Sequence, residues 1–418
     1  MKSLSQLKSR LEPFRYPKFR KFFFAQGVSL IGTWMQELTK SLLVLHLVES
    51  TGSMGKSSAI GLLMMASAIP NLLLGSSGGV LADKKGWKKT LVVTQVLLAA
   101  TAFFLGILVH QGHIEFWHLL LFAIVEGLII AFDLPAFQMV TPQLVPKEFL
   151  QQALALNATN FHAARVLGPA IAGLVVGFFG REAVFWLNAL TFLFVAFVIA
   201  NLKADVDHRH APTKKGQGSM KEAITYVKTH PVFLRIFLQF VLVQVMIFPI
   251  IFTTLRVLVQ ERFQLNDKDF GLVFSMPGLG ALIGSLVFLV ASPKNPIKVL
   301  TFSMTGLVLF LFAVAESFSL PMMIVTIVFF STFMFLTLSA LLVTVQIEVE
   351  DRFRGRVSAL IGMAFASLSP IMAYPMGLLS DLLGGRLLLW ICGGTFGLAS
   401  FYLAYSSVKK NQKISDLT

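Results

Sequence analysis

The chain has 418 residues, of which 56% are hydrophobic and 13% are charged, and its formal net charge is +14. Soluble globular proteins carry about 25% charged residues, so this composition excludes an ordinary soluble enzyme or binding domain. The one cysteine, Cys392, excludes a framework of intrachain disulfides. The sequence carries no convincing pattern of metal ligands, and we expect neither a metal nor a cofactor.

Twelve apolar stretches near 20 residues long follow one another along the chain, and each is long enough to cross a bilayer. A segment in lipid must satisfy its own backbone hydrogen bonds, which a helix does and an open sheet does not. The first stretch is too long for a signal peptide and lacks a small-residue cleavage site. The sequence therefore predicts an all-α membrane protein with twelve transmembrane helices, spans 1 to 12, over residues 22–49, 58–82, 90–110, 116–137, 155–179, 182–202, 232–259, 270–291, 297–315, 320–345, 357–381 and 386–407.

Positive charge is distributed unevenly between the segments that connect the spans. With the N-terminus inside, 26 of the 35 Lys and Arg residues fall in inner segments and five in outer loops. This bias follows the positive-inside rule and predicts that both termini are cytoplasmic. The net charge is then a consequence of topology, with anionic lipid headgroups as partners, and we do not expect nucleic acid as a partner.

One long polar stretch separates six spans from six. We interpret His208 and His210, which lie within it, as solvated linker residues. Residues 145–156 and 349–360 align without gaps, and such repeats indicate two pseudo-equivalent bundles with a site near the midplane. The predicted organisation is a cytoplasmic interfacial segment (1–21), an N-terminal six-helix bundle (22–202), a cytoplasmic linker (203–230), a C-terminal six-helix bundle (231–408) and a cytoplasmic tail (409–418).

The loop between spans 2 and 3 carries the most informative motif. Residues 79–89 fit the spacing Gly-x3-Asp-(Lys/Arg)-x-Gly-x-(Lys/Arg)2 at every fixed position. This spacing resembles the loop after the second membrane helix of major facilitator superfamily transporters. The resemblance implies a carrier built from two pseudo-symmetric six-helix bundles, not an enzyme, with Asp83 near the start of span 11. It also implies that the loop latches the two halves on the inner side through Gly79, Asp83, Lys84, Gly86, Lys88 and Lys89.

Further motifs resemble one branch of that superfamily, which contains the enterobactin exporter and the macrolide and multidrug exporters. The matching residues include Asp133 with Pro135 in span 4 and the motif Gly168-Pro169-x3-Gly173 in span 5. This branch implies export coupled to protons. Gly79 and Gly173 are expected to permit close approach of helices, and Pro169 with Gly168 to bend span 5.

Span 1 carries polar residues at steps of three and four, which place them on one face over about 21 Å. Inserting a charged side chain at the bilayer centre costs about 2.5–3.5 kcal/mol, so each such residue is expected to have a structural or functional role. Glu37 and Lys40 can pair at i,i+3, and the alternative to a functional role is a static ion pair that fixes span 1 to a neighbour. We expect a wet cavity here, lined by Trp34, Gln36, Lys40 and Asn160.

Spans 4 and 5 carry three more embedded charges. Counted from the inner ends of their spans, Glu126 lies at a depth of about 16 Å, Arg165 at about 12 Å and Asp133 at about 6 Å. Arg165 is expected to pair with one of the two acids, and Asp133 to fix span 4 to span 5. Glu126, together with Glu37, is the predicted proton carrier, because a cation that approaches or leaves a desolvated carboxylate changes its proton affinity.

These features predict a secondary exporter of the bacterial inner membrane, driven by inward proton flow. The predicted cargo is an amphipathic small molecule, such as a drug-like compound or a siderophore. The predicted partners are this cargo, protons and membrane lipids, and the protein is expected to be a monomer. Two alternatives are a lysophospholipid flippase of a related branch and a non-transporting membrane receptor.

Overall fold

The structure is a computed structural model. It describes residues 11–52, 54–202, 220–291 and 296–415, and within some helices of these ranges it describes the backbone but not every side chain. Three predicted segments lie partly outside the described residues. They are the N-terminal end of the interfacial segment, the last three residues of the tail, and most of the linker, which includes His208 and His210.

Twelve long helices, α1 to α12, follow one another through the described part of the chain, which contains no strand. Short helical segments precede or connect some of the long helices along the chain, at Glu12–Arg15, Thr141–Leu144, Lys147–Phe149 and Met220–Thr229. The seventh long helix, α7, consists of four segments that follow one another along the chain, and the second of these segments is a π-turn. The helices are α1 (Pro17–Thr51), α2 (Lys56–Lys85), α3 (Trp87–His110), α4 (Phe116–Gln138), α5 (Leu150–Phe179), α6 (Arg181–Asn201), α7 (Pro231–Leu242, Val243–Ile247, Phe248–Phe252 and Thr254–Phe263), α8 (Asp267–Ala291), α9 (Pro296–Ala315), α10 (Leu320–Glu348), α11 (Asp351–Leu383) and α12 (Gly385–Ser415).

Among the described residues, eleven helices are long and apolar enough to cross a membrane. Helix α1 is the exception, because polar residues such as Gln36, Glu37 and Lys40 lower its mean hydropathy. Large apolar side chains are exposed on the helix surfaces, for example Phe178 (74%) and Leu382 (80%), as a lipid solvent requires. The predicted all-α membrane fold is confirmed.

The helices form two compact units. Unit 1 comprises residues 1–47, 66–217 and 266–275, and unit 2 comprises residues 48–65, 218–265 and 276–418. Helices α1, α2 and α8 therefore each contribute residues to both units. The bundle boundaries drawn from the sequence, 22–202 and 231–408, stay predictions.

In unit 1, α3 packs along both α4 and α6. Gly106 permits the approach of α3 to α6, since a Cβ at this position would lie 2.5 Å from Trp186 Nε1. The fully buried side chains of Phe19, Phe22 and Leu91 belong to an apolar cluster that joins α1 to its neighbours. This packing fixes the position of α1, the helix that carries Gln36, Glu37 and Lys40.

In unit 2, α9 packs along α10 and α12. Aromatic rings fill part of the α9–α10 contact, where Phe310 stacks on Phe329 at 4.8 Å and on Phe333 at 5.5 Å between ring centroids. Helix α7 changes its geometry at the π-turn, which Pro249 follows, and π-turns inside helices locally displace the backbone ladder.

Candidate functional site

A buried ion cluster joins α1 to α4 in unit 1. Lys40 Nζ lies 2.8 Å from Glu126 Oε2 and 2.5 Å from Glu37 Oε1. The side chains of Lys40 and Glu126 are 5% and 8% exposed, whereas that of Glu37 is 42% exposed. The three residues, which we call the acid–lysine cluster, therefore have two buried members and one that reaches an accessible surface.

Amide side chains extend this cluster from α4 through α1 to α6. Gln36 Nε2 donates to Glu126 Oε1 at 2.7 Å, and Gln36 Oε1 accepts from Asn188 Nδ2 at 2.8 Å. Thr191 donates its hydroxyl to Asn188 Oδ1 at 3.0 Å. Gly32 makes room for this network, because a Cβ there would collide with the Asn188 amide. Each amide is thus held in one orientation, as a buried polar network requires.

The charge balance of the acid–lysine cluster is uneven. With both carboxylates ionised, two acids and one ammonium leave a net charge of −1, and both acids share the same cation. One proton on either carboxyl group, or one additional cation, makes the cluster neutral. One added positive charge would therefore balance the cluster, and Glu37 is its exposed member.

Asp133 lies on the same helix as Glu126 but has different partners. Its Oδ1 accepts hydrogen bonds from Thr94 Oγ1 at 2.5 Å and from Gln95 Nε2 at 2.9 Å. We expected Asp133 to fix α4 to α5, and the structure instead fixes α4 to α3. A hydroxyl and an amide solvate this carboxylate in place of a cation.

Arg165 was expected to pair with Glu126 or Asp133, but the cation that contacts Glu126 is Lys40. The Arg165 guanidinium carbon lies 5.4 Å from the centre of the Trp34 ring, which meets Phe161 edge to face at 5.7 Å. Such a cation–π contact is favourable, most of all where water is excluded, and Arg165 is only 5% exposed. Trp34, Phe161 and Arg165 form an aromatic and cationic surface shared by α1 and α5.

The other expected cavity residues mostly hold helices together. Asn160 Nδ2 donates to the carbonyl oxygen of Phe23 at 2.9 Å, which ties α5 to α1. Gln36 and Lys40 are both buried and both bound to Glu126. Trp34, the fourth residue expected to line a cavity, contacts Arg165 and Phe161.

The loop between α2 and α3 turns at Gly86, whose φ of 85° favours glycine. Asp83, Lys84 and Lys89 are exposed, as is Gly86. Lys88 instead donates to the carbonyl oxygen of Leu202 at 2.7 Å, so it binds the C-terminal end of α6. The expected contact of Asp83 with the start of α11 stays a prediction.

Close approaches of helices occur at glycines, though not all at those expected. A Cβ at Gly79 would lie 3.9 Å from Pro135 Cβ, an ordinary contact, whereas one at Gly78 would collide with the carbonyl oxygen of Ala131. The structure therefore places Gly78, not Gly79, at the close approach of α2 to α4. A Cβ at Gly173 would lie 2.9 Å from the Lys268 carbonyl oxygen, so α5 and α8 meet there.

The other two positions of the span 5 motif also lie at helix contacts. A Cβ at Gly168 would collide with Trp34 Cβ, so α5 and α1 touch there. Pro169 lies inside α5, where its missing N–H removes one hydrogen bond of the helix.

Sequence reasoning missed Asp381, at the end of α11 in unit 2. Its Oδ1 accepts from the backbone N–H of Ser57 at 3.0 Å and its Oδ2 from that of Ser58 at 2.8 Å. Ser57 and Ser380 join their hydroxyls at 3.1 Å. The carboxylate thus caps the first turn of α2 from another helix. A signal was available, because Gly377-x3-Asp381-x2-Gly384 repeats the first part of the spacing in residues 79–89.

A model of the transmembrane secretion effector family matches residues 8–402 of this chain. The staphyloferrin A transporter of Staphylococcus aureus is 24% identical over 90% of both chains. The match to the MFS-type transporter YfiS of Bacillus subtilis, 26% identical, covers 50% of this chain and 49% of that protein. Macrolide efflux protein A of Streptococcus pyogenes is 24% identical over 44% of each, so the chain spans about half the length of these last two relatives.

Solved structures show the same fold at low sequence identity. A D-xylose–proton symporter superposes with a TM-score of 0.74 at 12% identity, covering 93% of this chain and 97% of that one. A bacterial homolog of the human lysosomal transporter Spinster gives 0.71 at 14% identity, with 93% and 98% covered. The chain belongs to the transmembrane secretion effector family and is an integral membrane transporter with the major facilitator fold.

Proposed function

We propose that this protein is a secondary exporter that moves an amphipathic small molecule outward in exchange for protons, by alternating access. It acts in the bacterial inner membrane with both termini in the cytoplasm, and the bundles 22–202 and 231–408 are its moving parts. The observation that carries the proposal is the acid–lysine cluster of Glu37, Lys40 and Glu126.

The cluster supports proton coupling through its charge balance. Lys40 contacts both carboxylates but can neutralise only one, so the cluster keeps one negative charge unless a proton or another cation binds. A proton arriving through the partly exposed Glu37 restores neutrality, and a displaced Lys40 releases it. Intramembrane acids and cations that pair with one another are the usual elements of proton relays in transporters.

The nature of the cargo is supported by the surface beside the cluster. Trp34 and Phe161 offer two aromatic rings, and Arg165 places a cation against the first of them. Phe161 is 41% exposed, so this surface suits a molecule with apolar rings. Two of the relatives are a macrolide efflux protein and a staphyloferrin A transporter, which supports a small-molecule cargo.

A test separates coupling from binding. The Glu126→Gln variant keeps the size of the side chain and an oxygen for Lys40, but it cannot take up or release a proton. In proteoliposomes we expect it to lose uptake driven by a pH gradient and to retain cargo exchange at equal concentrations. Glu316→Gln is the matched control, because Glu316 pairs with Arg386 at an exposed site and should keep both activities. Gradient-driven uptake by Glu126→Gln at the wild-type rate would refute the role of Glu126.

Lysophospholipid flipping is a second candidate, favoured by a lateral cleft in unit 1. This cleft has a volume of about 360 Å³, apolar walls from α2, α3 and α4, and two lysines at one end, which suits an acyl chain below an anionic headgroup. Flipping predicts that fluorescent lysolipid crosses proteoliposomes at equal rates with and without a pH gradient. The cleft is lined by Leu81, Lys85, Lys89, Thr90, Val93, Thr94, Leu97, Leu128, Ile129 and Phe132.

A further inference from the structure

The spacing Gly-x3-Asp-x2-Gly occurs at the ends of two helices. It is Gly79, Asp83 and Gly86 at the end of α2, and Gly377, Asp381 and Gly384 at the end of α11. Both final glycines have positive φ, 85° and 83°, so both helices end in the same kind of turn. The two copies therefore place a carboxylate in the last turn of α2 and in the last turn of α11.

The structure shows what the second copy does. Asp381 uses both oxygens to accept the backbone N–H groups of Ser57 and Ser58, in the first turn of α2. These N–H groups have no partner within their own helix, and they form the positive end of the helix dipole. An anion at this place is stabilising for both reasons.

The surrounding backbone is built for this contact. A Cβ at Gly377 would collide with the carbonyl oxygen of Ser57, and one at Gly61 with that of Ala373, so α2 and α11 touch along two turns. Gly55, before the first residue of α2, leaves space for the Asp381 carboxylate itself. The side chains of Ser57 and Ser58 are almost fully buried at 1% exposure. The cap therefore joins an exposed carboxylate, Asp381, to a buried and closely packed helix start.

We propose that Asp381 is a positioning residue of the transport cycle, which holds the start of α2 against the end of α11 while the outer side is closed. The proposal rests on the alternating access proposed above but not on proton coupling. Opening on the outer side removes the carboxylate from the first turn of α2 and leaves the N–H groups of Ser57 and Ser58 to water. The cap thus contributes to the preference for the outward-closed state.

The first copy of the spacing supplies the counterpart. Asp83 lies in the last turn of α2, the helix whose first turn Asp381 caps. Asp83 is 26 residues from Ser57, which corresponds to about 39 Å along α2. The resemblance of residues 79–89 implies that Asp83 lies near the start of α11, and on this expectation we propose that α2 and α11 each cap the other, at opposite ends. Because the two carboxylates are so far apart, only a tilt of α2 relative to α11 exchanges one cap for the other. Loss of Asp381 and loss of Asp83 should therefore shift the equilibrium in opposite directions.

The size of the shift follows from known helix caps. Removing a capping side chain changes an equilibrium by between about twofold and thirtyfold. Alanine removes both acceptors, whereas asparagine keeps one oxygen and is itself a good cap. We expect a rise of about fivefold or more in the outward-open population for Asp381→Ala and a smaller rise for Asp381→Asn.

Cysteine labelling measures this population without any cargo. Ala59, in the first turns of α2, is fully buried, and Cys392 is the one native cysteine. In a Cys392→Ser, Ala59→Cys background in proteoliposomes, a membrane-impermeant maleimide should react severalfold faster after Asp381→Ala. Adding Asp83→Ala should reverse part of that increase. Glu316→Gln, which removes a carboxylate outside the α2–α11 contact, should leave the rate unchanged.

The outcomes separate a positioning role from general loosening. Unchanged labelling in Asp381→Ala, with elution and thermal unfolding like the parent, would overturn the proposal. An equal increase in Glu316→Gln, or a further increase on adding Asp83→Ala, would also overturn it. Should Asp381→Ala not fold, Asp381→Asn carries the test, with an expected fall in turnover larger than the rise in KM. Since labelling reports neither cargo nor protons, its result is independent of whether Glu126 carries a proton.

Discussion

At the scale of single residues, Lys40 is the centre of the candidate site, because it contacts both acids of the acid–lysine cluster. Lys40 and Glu126 are each more than nine-tenths buried. Removing one partner of such a pair leaves an uncompensated charge in the interior, which costs about 3–5 kcal/mol. Replacing both partners with neutral residues avoids most of that cost.

The pair therefore predicts a strong coupling in a double-mutant cycle. Lys40→Met should lower the free energy of unfolding by about 3 kcal/mol, and Lys40→Met with Glu126→Gln by clearly less. Thermal unfolding of the purified variants in one detergent measures the cycle. Additive losses would show that Lys40 and Glu126 do not interact energetically, whatever the distance between them.

Asp133 provides a contrast to Glu126 on the same helix. A hydroxyl and an amide are its partners, both through Oδ1, so an asparagine in its place can accept the same two hydrogen bonds. Asp133→Asn should therefore change stability by about 1 kcal/mol or less and retain gradient-driven transport. Vesicle uptake is the measurement, and loss of coupling with intact folding would make Asp133 a proton carrier in place of a structural residue.

At the scale of the helices, packing decides which glycines are required. Gly78 faces the carbonyl oxygen of Ala131, which is backbone and cannot move aside, whereas Gly79 has space around it. Gly78→Ala should destabilise the protein by about 1–3 kcal/mol, because α2 must move away from α4. Gly79→Ala should be neutral or stabilising by up to about 1 kcal/mol, the usual gain for this change inside a helix. Unfolding midpoints of the two variants in one detergent test the pair, and equal losses would contradict this account of the α2–α4 contact.

The helices themselves were predictable because hydropathy is a property of each segment alone. Spans 1 to 12 correspond one to one with α1 to α12, and the pairing of Glu37 with Lys40 needed only the geometry of one helix. The partner of Glu126 was not predictable in this way, since it depends on how α1, α4 and α5 are rotated about their axes. The same reason explains why Asp133 turns to α3. A comparison of the two Gly-x3-Asp-x2-Gly segments within the chain would have identified Asp381.

At the scale of the whole molecule, we assign two features of the chain to different parts of the proposed transport cycle. We propose that the acid–lysine cluster exchanges a single charge and that the Asp381 cap at the start of α2 favours one conformation. Neither feature specifies the cargo, for which we proposed an amphipathic small molecule from the aromatic rings of Trp34 and Phe161. Coupling between charge and cargo is therefore the central claim.

One measurement tests that claim most directly. Proteoliposomes with a pH-sensitive dye inside are presented with a panel of macrolides, catecholate siderophores and lysolipids outside, for wild type and for Glu126→Gln. The account predicts that at least one amphipathic cargo moves protons in the wild-type vesicles and moves none in the variant. Movement of cargo without any movement of protons in wild-type vesicles would contradict it, and would favour lipid flipping or facilitated diffusion on the same fold.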